Sequence, residues 1–476
     1  MQYLSTRDAR AEPARHSFEE VLLAGLAEDG GLYVPEAVPA LPWRELAGLS
    51  YAELAARIVG SFVGDGPLAA ELPAASAAAY AGFRHQAVAP LVQLDTRLWL
   101  MELFHGPTLA FKDHALQLVA RLIDAALARR GEQVTILGAT SGDTGSAALE
   151  ACRGRERIDV FFLFPHGRIS EVQRRQMTTL DAPNAHAVAI DGTFDDCQDI
   201  VKALFADMRL RRDLGLSALN SINFARIAAQ IVYYVAAGLA LGAAPVPAGR
   251  KVSFAVPTGN FGNVYAAHLA RAMGLPVDRL VIATNENDIL ARYLASGRMA
   301  IAAVAPTLSP SMDIQVSSNF ERLLYEVKGR SGAAVADALR RFRRDGVLPE
   351  DEQAWRAVRR LFSARRVDDA ETLKTIAEVH ARTGRLIDPH SAVAVAAAQR
   401  EPPGEAPMVA LACAHPGKFP DAVARATGIR PELPPGFADL YERPERVAVL
   451  PADAAKVARY LRATARRKDR PAGRAA

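Results

Sequence analysis

The hydrophobic pattern of the chain is helical at its start. Residues 17–88 are rich in alanine and leucine at helical spacing, and a glycine-containing turn at residues 28–35 interrupts them. Two short apolar runs, residues 90–94 and 98–103, then predict a pair of strands. We therefore expect a mainly helical N-terminal part that leads through two strands into the rest of the chain.

The next pattern predicts a helix that starts beside a lysine. Between Ala115 and Ala126, apolar residues recur every three or four positions, which is the spacing of one buried helix face. We expect this helix to end near Gly131 and to hold Lys112 in its first turn. Residues 105–111 form the loop before it.

Short apolar strands, polar or glycine-containing loops and helices alternate over most of the remaining chain. This succession is typical of parallel sheets covered by helices on both faces, so the predicted fold class is α/β. A charged region at residues 329–384 is expected to form solvated helices. The predicted strands are residues 133–137, 159–164, 186–190, 251–256, 280–284 and 408–414.

These patterns divide the chain into three predicted parts. Residues 1–95 form a mainly helical N-terminal domain, and residues 96–430 form an α/β domain whose smaller subdomain covers roughly residues 133–225. Residues 431–476 form a C-terminal extension with a basic tail. The tail from Arg462 onward lacks apolar periodicity, so we expect it to be frayed or disordered.

Composition excludes several function classes. A net charge of +4 on 476 residues is too small to indicate nucleic acid as a partner. The three cysteines, Cys152, Cys197 and Cys413, form no C-x-x-C pair, so neither a disulfide framework nor a metal site is indicated.

The uncharged run 231–247 is interrupted by glycine and proline, which favours a buried helix over a membrane span. No signal peptide is apparent, and we expect a cytoplasmic monomer or homodimer.

Lys112 is the first candidate for chemistry. A cation in the first turn of a helix meets the positive end of the helix dipole, which favours the neutral amine. A neutral lysine amine is a nucleophile that can form a Schiff base with an aldehyde cofactor such as pyridoxal phosphate (PLP). The alternative is an ordinary solvated lysine at a helix start.

A glycine loop that follows a predicted strand is the second candidate. It comprises Gly259, Asn260, Phe261, Gly262 and Asn263. Glycines allow the backbone to approach an anion closely, and free N–H groups at a helix start bind phosphate. The loop matches neither a P-loop nor the dinucleotide fingerprint, and a purely structural turn is the alternative.

A polar loop after an earlier strand is the third candidate. The loop contains Thr140, Ser141, Asp143 and Thr144, with glycines at positions 142 and 145. Its hydroxyl and N–H groups suit a substrate carboxylate. The alternative is a helix N-cap, in which Ser141 or Thr144 satisfies the first turn of the next helix.

Together these segments resemble the threonine synthase family of fold-type II PLP enzymes, and the resemblance covers nearly the whole chain. Besides the lysine loop and the two loops above, it is carried by further segments of specific sequence. They are residues 3–7, 29–35, 220–223, 310–322 and 414–419.

The resemblance implies a fold and a set of roles. The fold is two parallel-sheet α/β layers with the cofactor in the cleft between them. Lys112 would form the Schiff base, and Gly259 to Asn263 would hold the cofactor phosphate. Thr140, Ser141 and Thr144, together with Asn223, would contact the substrate, while Asp143 would contact the cofactor.

Two positions depart from the pattern of related enzymes. Asp143 stands where many fold-type II enzymes have asparagine, and a carboxylate cannot donate a hydrogen bond unless it is protonated. Cys413 stands where the family has threonine facing the pyridine nitrogen, and a thiol is only a weak donor. Without the resemblance, Cys413 would be interpreted as core packing.

The activity implied is conversion of O-phospho-L-homoserine and water into L-threonine and phosphate. Lys418, Arg226, Asn223 and the Ser141 loop are candidates for binding the substrate phosphate, and the sequence does not rank them. Two alternatives stay open. One is a related PLP lyase that releases phosphate and a keto acid, and the more distant one is a non-catalytic protein that binds phosphoryl ligands.

Overall fold

The computed structural model describes residues 1–243 and 249–466, and it has an α/β architecture built on two sheets. The strands are β1 (Tyr3–Ser5), β2 (Tyr33–Pro35), β3 (Leu91–Gln93), β4 (Leu98–Glu102), β5 (Val134–Ala139), β6 (Ile158–Pro165), β7 (Ala185–Asp191), β8 (Leu216–Ser217), β9 (Val252–Pro257), β10 (Val277–Thr284), β11 (Phe362–Arg366), β12 (Met408–Ala412) and β13 (Val447–Pro451).

Helices surround both sheets. They are α1 (Phe18–Ala24), α2 (Trp43–Leu46), α3 (Tyr51–Val63), α4 (Leu72–Tyr80), α5 (Lys112–Arg130), α6 (Asp143–Cys152), α7 (Glu171–Thr178), α8 (Phe194–Ala206), α9 (Met208–Leu214), α10 (Phe224–Ala240), α11 (Gly262–Ala272), α12 (Ile289–Ser296), α13 (Phe320–Val327), α14 (Gly332–Asp345), α15 (Glu352–Leu361), α16 (Asp369–Thr383), α17 (Pro389–Gln399), α18 (Pro420–Thr427) and α19 (Ala454–Thr464). Short 3-10 turns occur at Pro67–Ala69, Pro310–Met312 and Pro416–Lys418.

The larger sheet has the strand order β11-β10-β9-β12-β4-β3 and is parallel except for β3. The smaller sheet has the order β13-β7-β6-β5-β8 and is parallel throughout. All eight residues of β6 are buried, as expected for a strand covered by helices on both faces. The predicted α/β class and its two parallel layers are therefore confirmed.

The N-terminal segment contains helices α1 to α4, as the alanine-rich pattern predicts, and it also contains a two-stranded sheet that was not predicted. Strands β1 and β2 pair antiparallel, with Leu4 opposite Val34. Helix α3 packs against α10, so this segment shares a core with the large α/β layer. Strands β1 and β2 have three residues each, which is too short for a periodic signal.

The expectation of a frayed tail from Arg462 is wrong for its first residues. Arg462 lies in α19, and Arg466 donates from Nε to Asp159 Oδ1 at 2.6 Å. Strand β13 extends the smaller sheet beside β7, so the C-terminal extension is part of that layer. The remainder of the predicted tail, residues 467–476, lies outside the described residues.

The strand β11 lies inside the region predicted to be only charged helices. It pairs parallel with β10 at the edge of the larger sheet, and its five residues, Phe-Ser-Ala-Arg-Arg, contain only two apolar ones.

The uncharged run 231–247 was predicted to be a buried helix with its exit loop. Its helical part belongs to α10, which ends at Ala240, and residues 244–248 lie outside the described residues. No helix within residues 1–243 and 249–466 is long and apolar enough to cross a bilayer.

Candidate active site

A cleft of about 2820 Å³ lies where α5, α6 and α11 begin. Lys112, Thr144 and Gly262, each in the first turn of one of these helices, contribute to its wall. A volume above the usual few hundred to one thousand Å³ of ligand pockets leaves room for a cofactor together with a substrate.

Lys112 is the first residue of α5 and is almost fully buried. Its pKa is lowered to about 8, chiefly by burial, with further lowering by the charges of Lys418 and Arg226. The carboxylate of Asp143, 3.7 Å from Lys112 Nζ, acts in the opposite direction. The sequence argument from the helix dipole gave the direction of this pKa shift, and the structure adds burial as its largest cause.

Asp143 is the centre of the polar contacts in the cleft. Its Oδ1 lies 2.7 Å from Lys418 Nζ and accepts from Gln173 Nε2 at 2.9 Å, while Oδ2 accepts from Ser311 Oγ at 3.3 Å. Burial raises the pKa of Asp143, but the charges of Lys418 and Lys112 outweigh burial and hold this pKa well below its usual range. Asp143 is therefore a carboxylate that accepts hydrogen bonds and does not donate them.

Lys418 is fully buried, and its ammonium group also donates to Thr108 O at 2.9 Å. It follows β12 in the 3-10 turn Pro416–Lys418. Its sequence-based candidacy as a phosphate ligand is weakened, because Asp143 already neutralises its charge.

In the polar loop, the side chain of Thr140 binds backbone amides. Its Oγ1 accepts from the backbone N–H groups of Gly142 and Gly145, each at 2.9 Å. Ser141 and Thr144 line the cleft. The N-cap of α6 is Gly142, which makes no side-chain cap bond, so neither Ser141 nor Thr144 is the N-cap. Their hydroxyls remain candidates for substrate contact.

The glycine loop joins β9 to α11 and is held from behind. Asn260 O accepts from Asn319 Nδ2 at 2.9 Å, and Gly259 O accepts from Ser317 Oγ at 2.6 Å. Phe261 has a φ of 64°, and its buried ring packs edge-on against the ring of Phe320. A non-glycine residue in the left-handed region indicates strain that surrounding packing must hold.

The backbone N–H groups of this loop are free. Those of residues 259–263 have no backbone or side-chain acceptor among the residues that the structure describes. Free amides at the first turn of α11, together with the helix dipole, form an anion site, which fits the sequence-based assignment of a phosphate to this loop.

The side chain of Asn263, the last residue of this loop, is held by buried neighbours. Its Oδ1 accepts from the buried Tyr233 and Tyr234 hydroxyls, the second at 2.7 Å, and its Nδ2 lies 4.0 Å from Cys413 Sγ. Burial raises the pKa of the Cys413 thiol well above its usual value. Cys413 therefore presents a neutral thiol to the cleft.

Asn223 is not brought to the cleft, which corrects its assignment as a substrate contact. It is the N-cap of α10: its side-chain oxygen accepts from Ala225 N at 3.0 Å, and Nδ2 donates to Leu22 O at 2.9 Å. Asparagine directly before a helix is a common capping pattern, so the sequence did carry this signal.

Three cleft residues had no sequence-based role, namely Gln173, Ser311 and His390. The first two bond to Asp143, and the backbone N–H of Ser311 donates to His390 Nε2 at 3.3 Å. His390 is fixed in turn by Asp388, whose Oδ2 lies 2.7 Å from Nδ1. Asp388 caps α17, and Pro389 occupies the first position of this helix. In the sequence, this pair indicates the start of a helix and does not indicate a functional site.

Comparison with known families accounts for most of the chain. Residues 2–80 match the model of the threonine synthase N terminus, residues 83–361 match the pyridoxal-phosphate dependent enzyme model, and residues 391–461 match the model of the threonine synthase C-terminal region. The chain belongs to the threonine synthase family. It is a PLP-dependent enzyme, as its resemblance to this family implied.

Individual relatives agree over the full length. The chain is 53% identical to threonine synthase of Pseudomonas aeruginosa, covering 97% of this chain and 98% of the relative. A crystal structure of PLP-bound threonine synthase from Brucella melitensis superposes with a TM-score of 0.94 at 50% identity, covering 98% of this chain and all of the other. Yeast threonine synthase superposes with a TM-score of 0.90 at 37% identity, covering 97% and 98%.

The cleft of this threonine synthase family member fits PLP on its own geometry. The free amides of the glycine loop suit the cofactor phosphate, and Lys112 is buried with a lowered pKa beside them in the same cleft. The neutral thiol of Cys413 adds no charge to the site. These are the features that a lysine-linked aldehyde phosphate requires.

Proposed function

We propose that the enzyme converts O-phospho-L-homoserine and water into L-threonine and inorganic phosphate. The observation that carries this proposal is the joint lining of one cleft by a buried lysine of lowered pKa and a loop of free amides. The identity to threonine synthases over nearly the whole chain supports the same reaction.

Bound PLP supplies an electron sink that stabilises negative charge on the substrate carbons. Lys112 provides the proton transfers. With its side chain free as a neutral amine, Lys112 would remove the proton from Cα of the substrate and then one from Cβ. Phosphate leaves from Cγ, water adds at Cβ, and protons return to Cα and Cγ, so the product is threonine.

Asp143 and Lys418 adjust the pKa of Lys112, and Lys112 itself transfers the protons. The ionised Asp143 accepts hydrogen bonds from Gln173 and Ser311, which fixes the carboxylate 3.7 Å from Lys112 Nζ. With a pKa near 8, Lys112 exchanges protons close to neutral pH, where a general base works best.

We propose that Ser141 and Thr144 contact the substrate, because both line the cleft, Ser141 just before α6 and Thr144 in its first turn. We also propose that Cys413 is the uncharged neighbour of the pyridine nitrogen. A neutral neighbour leaves that nitrogen unprotonated and directs the reaction to Cβ and Cγ. A cytoplasmic location and a monomeric or homodimeric state stay predictions.

The test is product analysis. Purified enzyme supplied with PLP is incubated with O-phosphohomoserine, and amino acids, keto acids and phosphate are quantified over time. Equal amounts of threonine and phosphate, both lost in Lys112→Ala, would support the proposal. Phosphate with a keto acid would favour the phospholyase reading, and no product from a PLP-loaded enzyme would contradict both. Exposed Lys374→Ala on α16, outside the cleft lining, is the matched control.

A further inference from the structure

His390 is a buried histidine in the wall of the cleft, in the first turn of α17. It is 4% exposed, and its ring packs against the ring of Phe419 with 4.8 Å between the ring centroids. Phe419 is the residue after Lys418, which places the imidazole next to the ion pair of Lys418 with Asp143.

One carboxylate fixes the tautomer of this imidazole. Asp388 is fully buried, and its Oδ2 lies 2.7 Å from His390 Nδ1. Asp388 also accepts from the backbone N–H groups of His390 at 3.0 Å and of Ser391 at 3.1 Å. On the other side of the ring, the backbone N–H of Ser311 donates to His390 Nε2 at 3.3 Å. Because a backbone N–H can only donate, the ring proton is on Nδ1 and the lone pair of Nε2 faces Ser311.

Ser311 connects His390 to Asp143. Its Oγ donates to Asp143 Oδ2 at 3.3 Å, and the same carboxylate oxygen lies 3.7 Å from Lys112 Nζ. The other oxygen, Oδ1, is taken by Lys418 and Gln173. Within the described part of the chain, Ser311 and Lys112 are therefore the two groups that share Oδ2.

The 3-10 turn that carries Ser311 lies against the glycine loop. A Cβ on Gly259 would lie 3.1 Å from Ser311 O and 3.2 Å from Met312 Cα, so the two backbone segments approach closely. His390 holds the same turn from the side of α17, through the N–H of Ser311. Loss of that acceptor would leave a buried donor unpaired and would release Ser311 Oγ from its place beside the carboxylate.

We infer that His390 is a positioning residue that keeps Ser311 on Asp143 Oδ2. It acts on Lys112 through these two side chains. While Ser311 donates to Oδ2, Lys112 Nζ stays at 3.7 Å, outside normal hydrogen-bond distance. Without that donation, Oδ2 would pair with Lys112 and favour its ammonium form, which cannot attack an aldehyde. The inference extends the role of Lys112 and does not depend on which substrate the enzyme converts.

The experiment measures the rate of PLP incorporation into apo enzyme by absorbance, between about pH 6 and pH 10. The variants are His390→Asn, His390→Gln, Ser311→Ala and the double variant of His390→Asn with Ser311→Ala. Asparagine can still donate to Asp388 from the place of Nδ1 but has no atom where Nε2 was, whereas the longer glutamine can bring its Oε1 to the N–H of Ser311. His166→Asn is the matched control, because His166 Nδ1 lies 2.9 Å from Asp191 in an exposed pair outside the cleft lining.

His390→Asn and Ser311→Ala should each move the pH profile to higher pH by about 0.5–1 unit, since both remove the donation to the carboxylate. Because the two changes act on one contact, the double variant should shift no further than Ser311→Ala alone. His390→Gln should shift less than His390→Asn, and His166→Asn should not shift. A merely structural role of His390 would lower stability without this pattern. The other cations that lower the pKa of the reacting lysine are present in every variant, namely Lys418 and Arg226.

A profile of folded His390→Asn that is unmoved, or moved to lower pH, would overturn the inference. A double-variant shift equal to the sum of the single shifts would do the same, and so would equal shifts in His390→Asn and His390→Gln. Unfolding of both His390 variants, measured by circular dichroism, would assign the side chain to the structural core and reject the positioning role. PLP incorporation requires no turnover, so a wild-type enzyme that makes no threonine would refute the proposed reaction and leave this test valid.

Discussion

Lys418 Nζ lies 2.7 Å from Asp143 Oδ1, and the whole Lys418 side chain is buried. The other carboxylate oxygen of Asp143 lies 3.7 Å from Lys112 Nζ, so one carboxylate is shared between two lysines. Lys418 lowers the pKa of Lys112 and Asp143 raises it. The nucleophile is therefore adjusted by two neighbours that act in opposite directions.

This arrangement predicts opposite pH shifts in two variants. Lys112 reacts with an aldehyde only as the neutral amine, so PLP incorporation into apo enzyme should accelerate as pH rises through about 8. Asp143→Asn removes the group that raises the pKa of Lys112, and the profile should move to lower pH. Lys418→Met removes a group that lowers this pKa and frees Asp143 to pair with Lys112, so the profile should move to higher pH. Each shift is expected to be about one unit.

The measurement is the rate of the absorbance change on mixing apo enzyme with PLP, recorded between pH 6 and 10, an interval of about two units on either side of the pKa of Lys112. Asp345→Asn, in an exposed ion pair on α14, is the control and should leave the profile in place. Shifts of the same sign in the two cleft variants would contradict the assigned roles.

The same pair predicts non-additive stability. Lys418→Met removes the nearer of the two lysines that pair with the buried Asp143 carboxylate, and should lower the free energy of unfolding by about 3–5 kcal/mol. Adding Asp143→Asn removes that charge and should recover part of the loss. Denaturant unfolding of apo proteins gives the coupling energy, expected at about 1–3 kcal/mol. Losses that add within about 0.5 kcal/mol would show that the two groups do not interact.

Local patterns were readable from the sequence. The periodic apolar face from Ala115 predicted α5, and the continuous apolar run of β6 predicted a central strand, because burial there follows chain periodicity. Strands β8 and β11 lie at sheet edges and were missed because neither carries a continuous apolar run. Strand β13 does carry one, Val447–Pro451, but it was assigned to the C-terminal extension and not to a sheet. Their positions depend on neighbouring strands far along the chain.

The candidate site also combines residues that local sequence predicts with residues that it does not. Lys112 and the glycine loop were identified from local sequence, because free N–H groups at the start of a helix are already indicated by a loop that leads into a helix. The pairing of Asp143 with Lys418 could not be predicted, since it joins the smaller layer to the turn after β12 and depends on how the layers pack. The same packing places Ser311 and Gln173 around Asp143.

Cys413 gives a prediction about the direction of the reaction. Its thiol is buried and its pKa is raised well above the usual value, so the group is neutral. Cys413→Thr keeps a neutral donor and should retain threonine formation within the same order of magnitude. Cys413→Asp buries a carboxylate near Asp143 and should lower threonine formation by at least about tenfold, since an unpaired buried charge is strongly unfavourable.

Threonine and keto acid are quantified together for both Cys413 variants, with melting temperature measured alongside. Full threonine output from a folded Cys413→Asp enzyme would count against a neutral neighbour at this place. Cys413→Ser is the control for loss of the sulfur atom. Cys197→Asp is not a suitable control, because Cys197 belongs to a hydrophobic core that a buried carboxylate would disrupt.

The turn before Asp143 provides the last prediction. Gly142 has a φ of 130°, and a Cβ there would lie 2.4 Å from Gln173 Cδ. Gly142→Ala must therefore both strain the backbone and displace Gln173, which donates to Asp143 at 2.9 Å. We expect threonine formation to fall by at least about tenfold and unfolding free energy by more than about 1 kcal/mol.

Gly131→Ala separates the two effects. Gly131 ends the Lys112 helix with a φ of 64°, and a Cβ there would meet no atom within 4 Å. It should cost about 1 kcal/mol of stability through the backbone alone and leave turnover unchanged. Steady-state kinetics and denaturant unfolding of both variants test this. Equal turnover in the two would mean that Gln173 does not need to hold Asp143, because only Gly142→Ala displaces it.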